Sequence, residues 1–264
     1  MPFTLARRPN ELVFRPVRLA SRTALAPDYV RLRFEGEALR GFDSPGADDH
    51  IRVFFPPYSA GAGDSATPAD LAPEALRAFP NREYTPLNWD TGAGALELEF
   101  VVHGDAGVAG PWAASAPVGS IVGVGGPRGS LVLEGEPDAW FLAGDETAIP
   151  AIRRWLRRMP AGARGHVLVE VRGPADELDL DAPAGVEVRW VHRGDAPAAS
   201  ALAAELDALA SGDRPEGDVF AFIAAEQAIV RPGRALLSRW GIDADRAVVK
   251  GYWKRGESEY HAPH

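Results

Sequence analysis

The chain has no cysteine in 264 residues. That absence excludes disulfides, thiolate nucleophiles, cysteine-ligated zinc and cysteine-ligated iron-sulfur clusters, so redox chemistry would have to come from a bound cofactor. Lysine is nearly missing as well: among 28 basic residues only Lys250 and Lys254 are lysines, and they share one short segment. No apolar run approaches the roughly 20 residues that cross a bilayer, and Arg7 and Arg8 are not followed by the apolar stretch of a signal peptide. The expectation is a cytoplasmic protein without membrane contact. A formal net charge of -9 opposes the clustered cations that phosphate backbones need, so no nucleic-acid partner is expected. An anionic ligand would have to meet a local basic patch.

What is present reads as globular: 46% of the residues are hydrophobic and 25% charged. The length favours two domains, with the change of texture after Glu136, giving residues 1–136 and 137–264. From Phe14 to about Val132, short alternating segments such as Val30 to Phe34, Ile51 to Phe55 and Leu96 to Phe100 have period two. Turn residues separate them, which fits a small antiparallel barrel or sandwich. The Gly/Ala/Pro-rich stretch 59–69 reads as a loop within this domain. Beyond Pro137, the apolar run Ala139 to Ala143 feeds a helical pattern with Ile149, Ile152 and Leu156 on one face, ended at Met159-Pro160. Further strands are expected at 166–171, 186–191, 219–224 and 247–251. Between them come a helix through Leu202, Leu206 and Leu209 and a second pattern from Gln227 to Trp240, where Pro232-Gly233 predicts a break or kink. Alternating strands and helices make a doubly wound parallel sheet, whose ligands sit outside the carboxyl ends of the strands.

Five segments have residue types suited to chemistry. Arg82-Glu83-Tyr84-Thr85 supplies a guanidinium for phosphate, a flat ring for stacking and a hydroxyl; the plain alternative is a strand with one outward Arg and one half-buried Tyr. Val101-Val102-His103-Gly104 runs through Gly107 and Gly110 to Pro111-Trp112-Ala113, a strand end entering a glycine-rich loop whose amides could cradle a pyrophosphate. His103 has no second ligand at metal-binding spacing. Leu142-Ala143-Gly144-Asp145-Glu146-Thr147 is a strand-to-helix turn without the three-glycine dinucleotide signature, and Asp145 and Glu146 would either cap the helix or contact hydroxyl groups. Arg193 stands at the end of the third strand of this domain. Lys250-Gly251-Tyr252-Trp253-Lys254-Arg255-Gly256 combines aromatic rings with the chain's only lysines.

Taken in order, His103-Gly104, Gly110-Pro111-Trp112-Ala113, Gly126-Pro127-Arg128-Gly129, Leu142 to Ile152 and Gly251-Tyr252-Trp253-Lys254-Arg255-Gly256 resemble the siderophore-interacting protein family, within the ferredoxin-NADP reductase-like superfamily. The resemblance implies an antiparallel β-barrel that binds FAD, an α/β domain that binds NADPH or NADH, and reduction of a ferric siderophore. FAD contacts are implied for Arg82, Tyr84, Thr85, Val102, His103, Gly107, Gly110, Trp112, Ala113, Asp145, Thr147 and Trp253. Nicotinamide-nucleotide contacts are implied for Gly144, Glu146, Arg193 and Glu226, with Arg193 as the candidate partner of a 2'-phosphate. Arg52, Lys250, Lys254 and Arg255 would receive the anionic ferric siderophore. Ferredoxin is an alternative electron donor, and a monomer is expected. A general flavin reductase and a carrier without turnover are the rival readings. Two departures stand out: Pro86-Leu87 replaces an arginine expected after the flavin segment, and Gly107-Val108-Ala109-Gly110 replaces a Gly-Pro-Ala-Ser pattern.

Overall fold

The computed structural model describes residues 3–57, 73–102, 107–257 and 260; the 59–69 loop and His103 lie outside them. Two units divide the chain. Residues 7–131 form the first, while residues 3–6 join the chain from 132 onward in the second. The division thus falls after Leu131 instead of after Glu136. The amino terminus belongs to the second unit for a packing reason: Phe3 is fully buried edge-on against Phe220 at 5.9 Å, and the Arg246 guanidinium lies 4.7 Å above its ring and donates to its carbonyl.

In chain order the strands are β1 (Thr4–Pro9), β2 (Phe14–Ala26), β3 (Tyr29–Glu35), β4 (Ile51–Phe54), β5 (Asn81–Tyr84), β6 (Asn88–Asp90), β7 (Ala95–Val101), β8 (Ile121–Gly125) and β9 (Gly129–Glu134), with short helices α1 (Pro73–Leu76) and α2 (Ala109–Ser115). β1 and β9 pair in a two-stranded ribbon, and the first unit is a seven-stranded sheet in the order β5-β4-β8-β2-β3-β7-β6. Neighbouring strands within it pair antiparallel. Alternation sets its inner face: Val30, Leu32 and Phe34 of β3 point into the core, while Arg31 and Arg33 point outward against Glu99 and Glu97 of β7, at 2.6 and 4.0 Å. The sheet curls over this core. Tyr84 on edge strand β5 packs its ring 4.2 Å from Phe100 on β7, which only a barrel-like wrap permits, because four strands separate the two in the sheet order.

The second unit continues with β10 (Ala139–Gly144), α3 (Ile149–Arg158), β11 (Gly165–Val171), β12 (Val186–His192), α4 (Ser200–Ala208), β13 (Val219–Glu226), α5 (Val230–Trp240) and β14 (Ala247–Trp253). Its five strands are parallel in the order β12-β11-β10-β13-β14. β10 and β13 are buried at every position, as strands covered by helices on both faces must be. Trp155 of α3 packs 4.5 Å from Phe220, and Trp240 of α5 packs 4.9 Å from Phe141 on the opposite face.

One expectation fails here. Pro232-Gly233 does not break α5, which runs unbroken from Val230 to Trp240. Pro232 is the third residue of the helix, where the backbone N–H has no intrahelical partner to lose. Gly233 is favoured by close packing, since a Cβ there would lie 3.1 Å from the Val249 side chain and 3.3 Å from that of Ile223.

Candidate functional site

In the first unit Arg82, Glu83 and Tyr84 lie within strand β5, and Thr85 follows its last residue. Arg82 pairs with Val53 and Tyr84 with Ile51, both core residues, so Arg82 and Tyr84 share the inner face of an edge strand. Arg52 and Glu83 alternate to the outer face and form an ion pair there at 3.4 Å. Arg52 is therefore on the opposite side of the sheet from Arg82. The Tyr84 ring is held by Phe100 and, at 6.3 Å, by Phe55, and burial pushes its phenol above the usual range while nearby Arg82 pulls it down. Arg82 uses Nη1 on the Asn81 carbonyl at 2.6 Å. Among the described residues the Tyr84 phenol, the Thr85 hydroxyl and the remaining guanidinium edge have no hydrogen-bond partner, although Thr85 is only 7% exposed. A guanidinium, a phenol ring and a hydroxyl left uncommitted on one short segment fit a flavin dinucleotide, which offers phosphate oxygens, a flat ring system and polar ring atoms.

The glycine-rich segment divides into a loop and a support. Gly107 has φ 84° and open space where a Cβ would be. Val102, half-buried, packs on the barrel core and donates its amide to the Asp28 carbonyl at 2.8 Å. Gly110 sits close to the strand end, a Cβ there lying 3.5 Å from the Val101 carbonyl. Trp112 and Ala113 point inward: Trp112 lies against Phe55 at 5.5 Å and over Phe34 at 6.2 Å, and Ala113 is fully buried. These two hold α2 in place. Arg22, which the sequence did not single out, closes the end of α2 by donating to the carbonyls of Ala113 at 2.5 Å and Ala116 at 2.7 Å.

In the second unit the carboxyl ends of β10, β13 and β14 meet at one carboxylate. Asp145 is fully buried. Its Oδ1 accepts from the Thr147 amide at 2.9 Å and the Thr147 hydroxyl at 2.5 Å; its Oδ2 accepts from the Glu226 amide and from Trp253 Nε1, both at 2.9 Å. Burial raises its pKa, and these hydrogen bonds act in the opposite sense. Asp145, Thr147, Glu226 and Trp253 are thus brought together as a hydrogen-bonded knot, in which Asp145 caps the helical turn that follows it and makes two further long-range bonds. Glu226 accepts from the amides of Ala228 at 2.6 Å and Arg255 at 3.1 Å. Gly144 is required by the same crowding: a Cβ would lie 2.4 Å from the Cβ of Ala148 and 2.7 Å from the Ala224 carbonyl.

Beside this knot runs a second network. Arg193 Nη1 lies 2.5 Å from Glu146 and 3.7 Å from Glu170. Glu170, fully buried, accepts the amides of Ala199 and Leu202 at the start of α4 at 2.6 and 2.8 Å. Burial, and then the charge of Asp145, push Glu146 up to about 7 against the pull of Arg193; burial likewise raises Glu170. Glu170 was missed by sequence reasoning, and the available signal was an acid within the apolar strand Val167-Leu168-Val169-Glu170-Val171. In the closing segment Lys254 and Arg255 are exposed and Lys250 is half-buried. Lys254 forms an ion pair with Glu257 across the turn, which raises its pKa. Gly251 is forced by close approach, since a Cβ would overlap Gln227.

An antiparallel unit followed by a parallel α/β unit is also the fold of the ferredoxin reductase in carbazole 1,9a-dioxygenase, which superposes with a TM-score of 0.65 at 14% identity. The family profile described as siderophore-interacting FAD-binding domain matches residues 18–131, and that described as siderophore-interacting protein matches residues 137–256. Ferric vibriobactin reductase ViuB of Vibrio cholerae is 32% identical over 247 residues, covering 90% of this chain and 89% of its own. The NADPH-dependent ferric-chelate reductase of Escherichia coli is 32% identical over 249 residues, covering 92% and 94%. A siderophore utilization protein from T. fusca superposes with a TM-score of 0.80 at 31% identity over 98% of both chains. The chain belongs to the siderophore-interacting protein family, and it is an oxidoreductase with FAD as its cofactor.

Proposed function

We propose that this protein reduces ferric siderophores with electrons from a pyridine nucleotide, releasing Fe(II). The observation that carries the reading is the uncommitted set of Arg82 and Tyr84 on the inner face of β5 and Thr85 directly after it, in a domain of the family's FAD-binding type. FAD would supply the conversion of a two-electron donor into one-electron delivery to ferric iron. Arg82 would hold a phosphate, the Tyr84 ring would take the flat face of the cofactor, and Thr85 would hydrogen-bond a polar atom of it. The loop through Gly107 and Gly110 would offer backbone amides, with Trp112, Ala113 and Arg22 keeping α2 behind it. The Asp145 knot would fix the ends of β10, β13 and β14, where ligands of open parallel sheets bind.

Lys250, Lys254 and Arg255 are the cations proposed to receive an anionic ferric chelate, with Lys254 giving up Glu257 to do so. Ferrous iron is a poorer partner for hard oxygen donors, so reduction itself would free the metal. No general acid or nucleophile of the protein is needed.

The test is anaerobic spectroscopy. Purified protein reconstituted with FAD should be yellow, bleach with a pyridine nucleotide, and recover its colour on addition of a ferric siderophore while a ferrous-specific chelator traps iron. Protein that binds the ferric siderophore without bleaching would be a carrier. Bleaching that is reversed by quinones but not by any ferric siderophore would mark a general reductase.

A further inference from the structure

Basic side chains at the carboxyl ends of β11 and β12 of the second unit are matched by carboxylates. Arg172 pairs with Asp195 at 3.0 Å and His192 with Glu177 at 2.7 Å, both at the surface. Arg193 differs in being largely buried. Its side chain is 16% exposed, that of Glu146 14%, and that of Glu170 not at all. An exposed ion pair exchanges partners readily, whereas pulling an arginine out of a buried one leaves a carboxylate uncompensated.

The charge count sharpens this. The charge of Asp145 acts on both Glu146 and Glu170, and Arg193 is the cation that acts on the same two. The helix start that could otherwise attract an anion, that of α4, is closed by both oxygens of Glu170 on the Ala199 and Leu202 amides. In open parallel sheets of this class, the region after the second and third strands is where an acidic or a basic side chain distinguishes a ribose hydroxyl from a ribose phosphate.

We propose that Glu146, by holding Arg193 against itself and Glu170, makes the nucleotide site of this protein select the dinucleotide that lacks a 2'-phosphate. Glu146 is a specificity-determining residue under this proposal: it withdraws the arginine that would pair with a 2'-phosphate and adds negative charge where that dianion would lie. The proposal rests on the pyridine-nucleotide reading given under the proposed function.

The experiment is titration of the FAD-loaded protein with NAD+ and with NADP+ by isothermal titration calorimetry at pH 8, where Glu146 is charged, which reads binding without turnover. Wild-type protein should bind NAD+ at least about tenfold more tightly, the weight of one charge-assisted hydrogen bond. Glu146→Gln, which releases Arg193 from its nearer carboxylate, should move the ratio toward NADP+ by about the same factor. Equal or tighter binding of NADP+ by the wild type would overturn the proposal while leaving the donor reading intact, as would an unmoved ratio in a folded Glu146→Gln protein. Binding of neither nucleotide would overturn the donor reading and the proposal with it. Should the variant fold poorly, the wild-type ratio decides the matter alone.

Discussion

Asp145→Ala is the substitution that tests the organisation of the second unit most directly. The carboxylate is fully buried and accepts from the Thr147 amide, the Glu226 amide and Trp253 Nε1, as well as from the Thr147 hydroxyl. Alanine leaves three donors without partners, and the hydroxyl can rotate to find another. Each orphaned buried donor costs about 1–3 kcal/mol; because Trp253 is half-exposed and water can reach part of the site, a total of about 3–6 kcal/mol is expected. At about 2–4 °C per kcal/mol for a chain of this size, the melting temperature should fall by roughly 6–24 °C. Asp145→Asn should cost far less. Its carbonyl can keep Glu226 and Trp253 while its amide donates to the Thr147 hydroxyl, so only the Thr147 amide is orphaned, at about 1–3 kcal/mol. Scanning calorimetry on both variants reads the two costs, and the Trp253 indole N–H resonance, assigned by its loss in Trp253→Phe, should shift in Asp145→Ala and persist in Asp145→Asn. The reasoning is refuted if Asp145→Ala melts with the wild type, or if asparagine costs as much as alanine.

The remaining expectations concern single contacts. Gly251→Ala should destabilise the protein, because the new Cβ would sit 1.9 Å from Gln227 Oε1 and 2.7 Å from its Cα; adding Gln227→Ala should not restore the melting temperature, since the backbone clash remains. Glu146 carries a pKa raised from 4.5 to about 7, so between those values the folded state holds a proton that the unfolded state has lost, and stability falls as pH rises through this window. Denaturant titrations from pH 5 to pH 7 should show a shallower fall in Glu146→Gln than in wild type. Arg82→Ala should weaken FAD retention about 10- to 100-fold, the range of a charge-assisted hydrogen bond, measured by flavin fluorescence on dilution; Arg52→Ala, paired with Glu83 on the other face of the sheet, should leave retention as it is.

Much of the fold was legible because the two units bury their strands differently. One buried face gives β3 and β7 their period two, and two buried faces give β10 and β13 their unbroken apolar runs. Strand β5 leaves no apolar alternation in the sequence, since its four residues are all half-buried. The break expected at Pro232 came from a rule for helix interiors applied to a helix start. At the flavin segment the residue types were enough, since Arg82, Tyr84 and Thr85 are neighbours in the chain. At the strand ends they were not: Asp145 meets partners 81 and 108 residues away, and only the placement of β13 and β14 beyond β10 makes them neighbours.

That placement also explains why a turn rich in carboxylates can stand where a nucleotide-binding sheet presents its amides. In a three-glycine dinucleotide fold the backbone N–H groups at the strand-to-helix turn are satisfied by the ligand's phosphates. Here Asp145 takes the amides of Thr147 and Glu226, Glu226 takes those of Ala228 and Arg255, and Glu170 takes those of Ala199 and Leu202. Three acids thereby satisfy six backbone donors from within the chain. These carboxylates act as internal substitutes for a phosphate at the ends of β10, β11 and β13. A nucleotide held by this unit would then rest on contacts other than those amides, and under the proposal above it is the partner of Arg193, and not a glycine signature, that sets which nucleotide fits.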